Sequence, residues 1–195
     1  MTRDDIVIGG RHVKEAEIEL SEYIMLGVSG RSLSDEHALE TARLLNMVQP
    51  DFIRVRTFAM HRKSPMQKMV ENGTFVPMTD EEIIREIRLL LVNLDTMHGY
   101  FSCGDHSLNL LMHVNGYLDE NEEQMLKDID DYLCLSKEQK RAYSLLKRGS
   151  HGNLSIEAVR NEDAMKQIRP ELERIDKTAE GGIDGYLIRL RDQLA

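Results

Sequence analysis

Ile18-Glu-Leu-Ser-Glu-Tyr-Ile-Met-Leu26 and Asp51-Phe-Ile-Arg-Val-Arg-Thr-Phe58 are the two stretches whose reading decides the fold. In the second, Ile53, Val55 and Thr57 alternate with Phe52, Arg54, Arg56 and Phe58, the period of two that marks a strand. The first is a strand candidate that ends in Leu26-Gly-Val-Ser-Gly-Arg-Ser32, a turn rich in Gly and Ser. Between them Ser34 is placed as a helix N-cap, with Asp35 and Glu36 in the first turn, where the helix dipole favours anions. Ala38, Leu39, Ala42, Leu45 and Val48 give that helix its apolar stripe, and Pro50 stops it. Upstream, residues 4–16 read as a helix, although Gly9 and Gly10 weaken it by about 1 kcal/mol each relative to Ala. Downstream, Thr79-Asp-Glu-Glu82 has the form of a capping box and opens a helix with Ile83, Ile84, Ile87, Leu90, Leu91 and Leu94 as its stripe. Helix, strand, helix, strand, helix is the order of right-handed crossovers in a parallel sheet.

The rest of the chain is poorer in strands. Tyr100 to Cys103 is a short third candidate, and Leu108 to Val114 suggests a short helix closed near Gly116. Asp119 opens another helix, Ser136-Lys-Glu-Gln139 one more, and helices resume after Gly149-Ser-His-Gly-Asn153. Pro170 is a boundary candidate, and Gly181-Gly182 sets off a final segment from Ile183 to Leu194. Parallel sheets are normally covered on both faces and have several strands, so two or three strands read as a piece of a larger α/β fold.

Composition limits the function classes. The 195 residues are 41% hydrophobic and 30% charged, a folded rather than a disordered balance. Eleven methionines, no Trp and 5% aromatics predict an aliphatic, Met-rich core. A net charge of −9 argues against nucleic acid or an anionic membrane as partner. Cys103 and Cys134 are too few for a disulfide scaffold, a four-Cys zinc site or a cluster held by this chain alone. The start has no apolar leader, and no run approaches the roughly 18 apolar residues that span a bilayer, so a cytoplasmic protein is expected.

Four constellations carry candidate chemistry. The turn Leu26 to Ser32 offers glycines and a helix N-terminus, the elements of an anion site, or simply a strand-to-helix turn. Arg54 and Arg56 point to the same side of one strand: a polar face if that side meets water, a pair in need of acidic partners if it is enclosed. His98, Cys103, Asp105, His106 and His113 lie close together in sequence, but in no standard metal spacing. The acidic run Asp119, Glu120, Glu122, Glu123, Asp128, Asp130 and Asp131 lacks the register of a calcium loop and reads as a solvated face. Cys134 is placed in the core.

Together, Tyr23-Ile-Met-Leu-Gly-Val-Ser-Gly30, Pro50-Asp-Phe-Ile-Arg-Val-Arg-Thr57, the loop around Pro65 and the capped helix at Thr79 resemble the later part of the radical S-adenosylmethionine (radical SAM) enzymes. The likeness is to those of the MiaB and coproporphyrinogen-dehydrogenase type. It extends through Asp105-His-Ser-Leu-Asn109, Gly116-Tyr-Leu118 and Asp128 to Leu133, over about residues 3–150. The sequence departs from the family in three places. The cluster motif CxxxCxxC is absent, only Gly27 is kept as written from Gly-x-Ile-x-Gly-x-x-Glu, and His61-Arg-Lys-Ser-Pro65 replaces the usual Arg-Pro-Gly-Thr-Pro.

The resemblance implies α/β architecture, a fragment of a partial parallel (β/α) barrel over residues 1–100 and a helical extension over 101–150; residues 151–195, a C-terminal helical segment, are not placed by it. It implies the C-terminal portion of a radical SAM enzyme, inactive alone. Met25, Gly27, Arg54, Arg56 and Thr57 would lie near the cofactor, at the C-terminal ends of the strands. No cofactor is expected on this chain alone; S-adenosylmethionine and a 4Fe–4S cluster belong to the intact parent. Two rival readings stand beside it: a helical interaction module without catalysis, and a small metal-dependent hydrolase around His98, Cys103 and His106. An exposed sheet edge also predicts a homo-oligomer, or pairing with the absent N-terminal half.

Overall fold

The structure is a computed structural model that describes residues 2–150 and 154–194. Its centre is a four-stranded sheet in the order β1 (Ser21–Leu26), β2 (Phe52–Thr57), β3 (Tyr100–Ser102) and β4 (Asn115–Tyr117). β1 and β2 run parallel with Ser21 opposite Phe52 and Leu26 opposite Thr57. β3 joins β2 in parallel, and β4 returns antiparallel to β3. Helix α1 (Arg3–Glu15) precedes β1, α2 (Ser34–Val48) connects β1 to β2, and α3 (Gln67–Glu71) and α4 (Asp80–Leu91) lie between β2 and β3. The chain is therefore α/β with a mostly parallel sheet, and its four strands correct the expected two or three.

Among the described residues, the helices that bury the sheet lie on one face. Ile24, Leu26, Ile53, Val55 and Phe101 are buried in a cluster with Ala38, Ala42 and Leu45 of α2 and Ile83, Ile84, Ile87, Leu90 and Leu91 of α4. α5 (Leu118–Leu133) adds Met125 and Ile129. The opposite face has no such layer: Tyr23 is 58% and Met25 46% exposed, and Phe52, Arg54, Arg56 and Tyr100 are only half-buried. Helix α1 stays helical through Gly10 because it lies tight against α2, where a Cβ at Gly10 would come within 2.6 Å of Val48 Cγ1.

The sequence reading and the structure differ at four further places. A 3₁₀ turn, Arg31–Leu33, feeds directly into α2, so Ser34 is its first residue and its side chain makes no cap. Leu108 to Val114 is a run of turns rather than a helix. Leu108, Asn109, Leu110 and Leu111 are all buried, so the segment has no solvent face to turn outward. Cys134 is exposed, because it falls half a helical turn away from the buried Met125–Ile129–Tyr132 stripe. Pro170 lies inside α8 (Glu162–Thr178), exposed, while Met165, Leu172 and Ile175 are buried. That burial offsets the roughly 3 kcal/mol penalty of an interior proline.

The C-terminal region is a small helical layer. α6 (Lys137–Ser150), α7 (Glu157–Arg160), α8 and α9 (Gly182–Gln193) join the core through Tyr143, Val159, Met165, Ile175, Ile183 and Leu187, and the core runs unbroken from Ile24 to Leu187. His151 to Asn153 of the expected turn lie outside the described residues. α9 reaches back to the sheet end: Met60 N–H donates to Asp192 Oδ1 at 2.9 Å. Arg191, 2% exposed, points Nη1 at Asp80 Oδ1 at 3.4 Å, and Arg148 Nη2 donates to the same oxygen at 2.9 Å. Burial pushes the Asp80 carboxyl up, but the two guanidinium groups win and hold it below the usual carboxylate range. Among the described residues, Asp80 Oδ2, Tyr132 Oη and the Nε atoms of both arginines are buried and find no hydrogen-bond partner.

Two cations thus share one oxygen. Asp80→Ala strands two buried guanidinium groups and is expected to cost about 3–5 kcal/mol in urea unfolding. Arg191→Met leaves the Asp80–Arg148 pair intact and is expected to change stability by less than about 1.5 kcal/mol, in either direction. Equal losses in the two variants would contradict the shared-oxygen geometry.

Candidate functional site

The C-terminal ends of β1, β2 and β3 and the uncovered sheet face form the candidate site. Gly27 follows β1 at φ +84°, a conformation open to glycine, and a Cβ there would meet Ile83 Cδ1 at 3.3 Å. Its N–H donates to Oε2 of the buried Glu86 at 2.8 Å, and Glu86 Oε1 lies 2.7 Å from His37 Nδ1. The turn is closed further by Gly30 N–H to Gly27 O and Arg31 N–H to Val76 O. A carboxylate from α4 therefore takes the amide that a phosphate would need, and the turn works as a braced strand-to-helix connection.

β2 and β3 are tied at their ends by Asn109. Its Nδ2 donates to Val55 O at 2.8 Å and to Cys103 O at 2.9 Å, and its Oδ1 accepts from Thr57 Oγ1 at 2.8 Å. Thr57 N–H donates to His106 Nδ1 at 3.3 Å, which leaves the ring proton on Nε2. Burial, with the charge of Arg56 added, holds His106 below the ordinary imidazole range.

Of the five residues assigned by resemblance, the structure brings three together. Met25, Arg54 and Arg56 share the uncovered face with Tyr23, whereas Gly27 and Thr57 are buried, their polar groups engaged within the protein. The two arginines differ. Arg54 Nη1 pairs with Asp105 Oδ2 at 2.5 Å, and its Nε donates to Ser21 Oγ at 3.0 Å. The Arg56 guanidinium lies 4.9 Å from the centre of the Tyr23 ring. Below them, toward the N-terminal ends, the face is aromatic: Arg54 lies over Phe52 at 5.6 Å, Tyr100 meets Tyr117 edge-on, and His98 stacks on Tyr117 at 4.6 Å.

The His98–Cys103–Asp105–His106–His113 set is dispersed. Cys103 is buried, which pushes its thiol far up; His98 pairs with Asp119; Asp105 is held by Arg54; and His113 is exposed. Among the described residues no group of three His, Cys, Asp or Glu side chains is placed to hold a metal ion. In the acidic run, Asp130 takes a two-pronged contact from Arg88 and Asp131 pairs with Lys127. The bracing roles of Glu86 and Asn109 escaped the sequence reading. Glu86 had a signal, since it falls on the Ile83–Ile87–Leu90 stripe where a carboxylate must find a donor. Asn109 had none.

No helix among the described residues is long and apolar enough to cross a membrane. Comparison with known proteins finds no family model, curated protein or solved structure that matches the chain.

Replacing Glu86 by Ala leaves the Gly27 amide and His37 without their acceptor and is expected to cost about 1–3 kcal/mol in thermal or urea unfolding. It should also speed amide exchange at Gly27. Unchanged exchange there would show that the brace is not needed.

Proposed function

We propose that this chain is the C-terminal portion of a radical SAM enzyme, a fragment of a partial (β/α) barrel that contributes cofactor- and substrate-cavity surface. One observation carries the reading: the sheet is finished on its helix side and bare on the other. In an open parallel sheet both faces are covered by helices; in a barrel one face is the lumen. The bare face bears Tyr23, Met25, Arg54 and Arg56, and β1 has a partner on one side only. A further strand added beside β1 would continue the barrel and enclose these side chains.

The iron–sulfur cluster does not fit this chain. Three thiolates are required, whereas the chain holds two cysteines, one buried after β3 and one exposed at the end of α5. The cluster and the radical chemistry it supports would belong to the missing half. On this chain Met25 and Arg56 would meet a bound small molecule, with Arg54 fixed beside them by Asp105. The unpaired edge of β1 also favours a second occupant, another copy of this chain, as in an interaction module.

The test is anaerobic reconstitution with iron and sulfide, with and without a half-barrel that carries the CxxxCxxC set. The chain alone should gain no stable cluster absorbance. The mixture should sediment as a one-to-one complex, with amide exchange slowed along β1. Cluster absorbance from the chain alone would overturn the reading. So would a self-dimer at low micromolar concentration that excludes the added half.

A further inference from the structure

The two arginines of the bare face share a strand, a direction and a setting, yet one of them is already occupied. Arg54 is held at Nη1 by Asp105 and at Nε by Ser21. Arg56 makes no hydrogen bond and no ion pair with the described residues, and the Tyr23 ring is its one close attraction. Nearly every other arginine is bonded: Arg31 to Glu82, Arg85 to Glu81, Arg88 to Asp130, Arg141 to Asp184, Arg169 to Glu138. Arg62 is the other exception, and it lies exposed on the loop before α3. Arg56 is different because it is half-buried on a strand. It lies one rung nearer the C-terminal edge than Arg54, opposite Met25 in the register.

A guanidinium in that position is tolerable while water reaches it. Once the face is covered, as the proposed barrel requires, an unpaired buried cation becomes costly. The ring of Tyr23, 4.9 Å away, offers only the weak attraction of an aromatic face. A planar fork of N–H donors matches a carboxylate or a phosphate, with two parallel bonds. His106, from the turn after β3, accepts from Thr57 N–H through Nδ1 at the end of the same strand.

We propose that Arg56 receives an oxyanion, a carboxylate or phosphate group of the small molecule bound on this face, and that Arg54, held by Asp105, is a positioning residue that does not bind it. This rests on the half-barrel reading for the covering of the face, but not on the cluster.

The experiment follows the side-chain Nε–Hε signals of arginine in the 15N-labelled chain during titration with inorganic phosphate, acetate or L-methionine, with ionic strength held constant by chloride. Arg56 should respond at about tenfold lower anion concentration than Arg62, the exposed unpaired guanidinium that serves as control. Arg54 should stay silent in the wild-type chain and respond in Asp105→Asn, which frees it. Arg56→Lys, which keeps the charge and loses the fork, should lose most of the preference. A phosphate response points to a phosphorylated substrate, and a methionine response above acetate points to an amino-acid carboxylate; each supports the oxyanion assignment. Arg56 and Arg62 moving together, an adventitious ion only, would overturn it, as would Arg54 responding as strongly as Arg56 in the wild-type chain. The outcome is independent of complex formation with the cluster-bearing half, so a failure here and a failure of the half-barrel reading are told apart.

Discussion

A parallel sheet with helices on one side only has half of its surface committed and half in contact with water. That imbalance organises this molecule. Ile24, Leu26, Ile53, Val55 and Phe101 bury themselves against α2, α4 and α5, and the same strands carry Tyr23, Met25, Arg54 and Arg56 in the alternate positions. Because side chains alternate along a strand, burying one set fixes where the other must stand. The face of interest for binding is thus set by the core, not by the loops.

The ends of the strands are held by buried polar groups. Glu86 anchors the turn after β1 from α4, and Asn109 joins the ends of β2 and β3 through three hydrogen bonds. These contacts spend backbone groups that a ligand could otherwise use. They leave the sheet-face side chains, the arginines above all, as the available chemistry. The same economy appears where the C-terminal helices dock. Asp80 opens α4 and is shared by Arg148 of α6 and Arg191 of α9, so one carboxylate fixes three helices while four buried polar atoms find no partner among the described residues. Such a junction specifies an arrangement more than it adds stability.

Arg54 and Arg56 show how far a pattern can go. Their shared direction was legible from the alternation in Asp51 to Phe58. Their difference was not, because Asp105 comes from the turn after β3 and is separated from Arg54 by 51 residues. The His98 to His113 group gives the converse case: neighbours in sequence, they diverge to a stacked ring, a buried thiol, an ion pair and an exposed surface.

By itself the sequence determined the alternating order of helices and strands, the two alternating sets of side chains along β2, and the capped start of α4 at Thr79. Each of these is a local matter of period, cap or turn, written in residues a few positions apart. Tertiary structure decided the rest. It added β4, whose three residues have too little pattern to announce a strand, and kept Pro170 inside a helix whose buried face outweighs it. It turned Leu108 to Leu111 into a core thread, and chose which arginine was left unpaired. Those outcomes depend on groups brought together from distant parts of the chain, and only folding sets such distances.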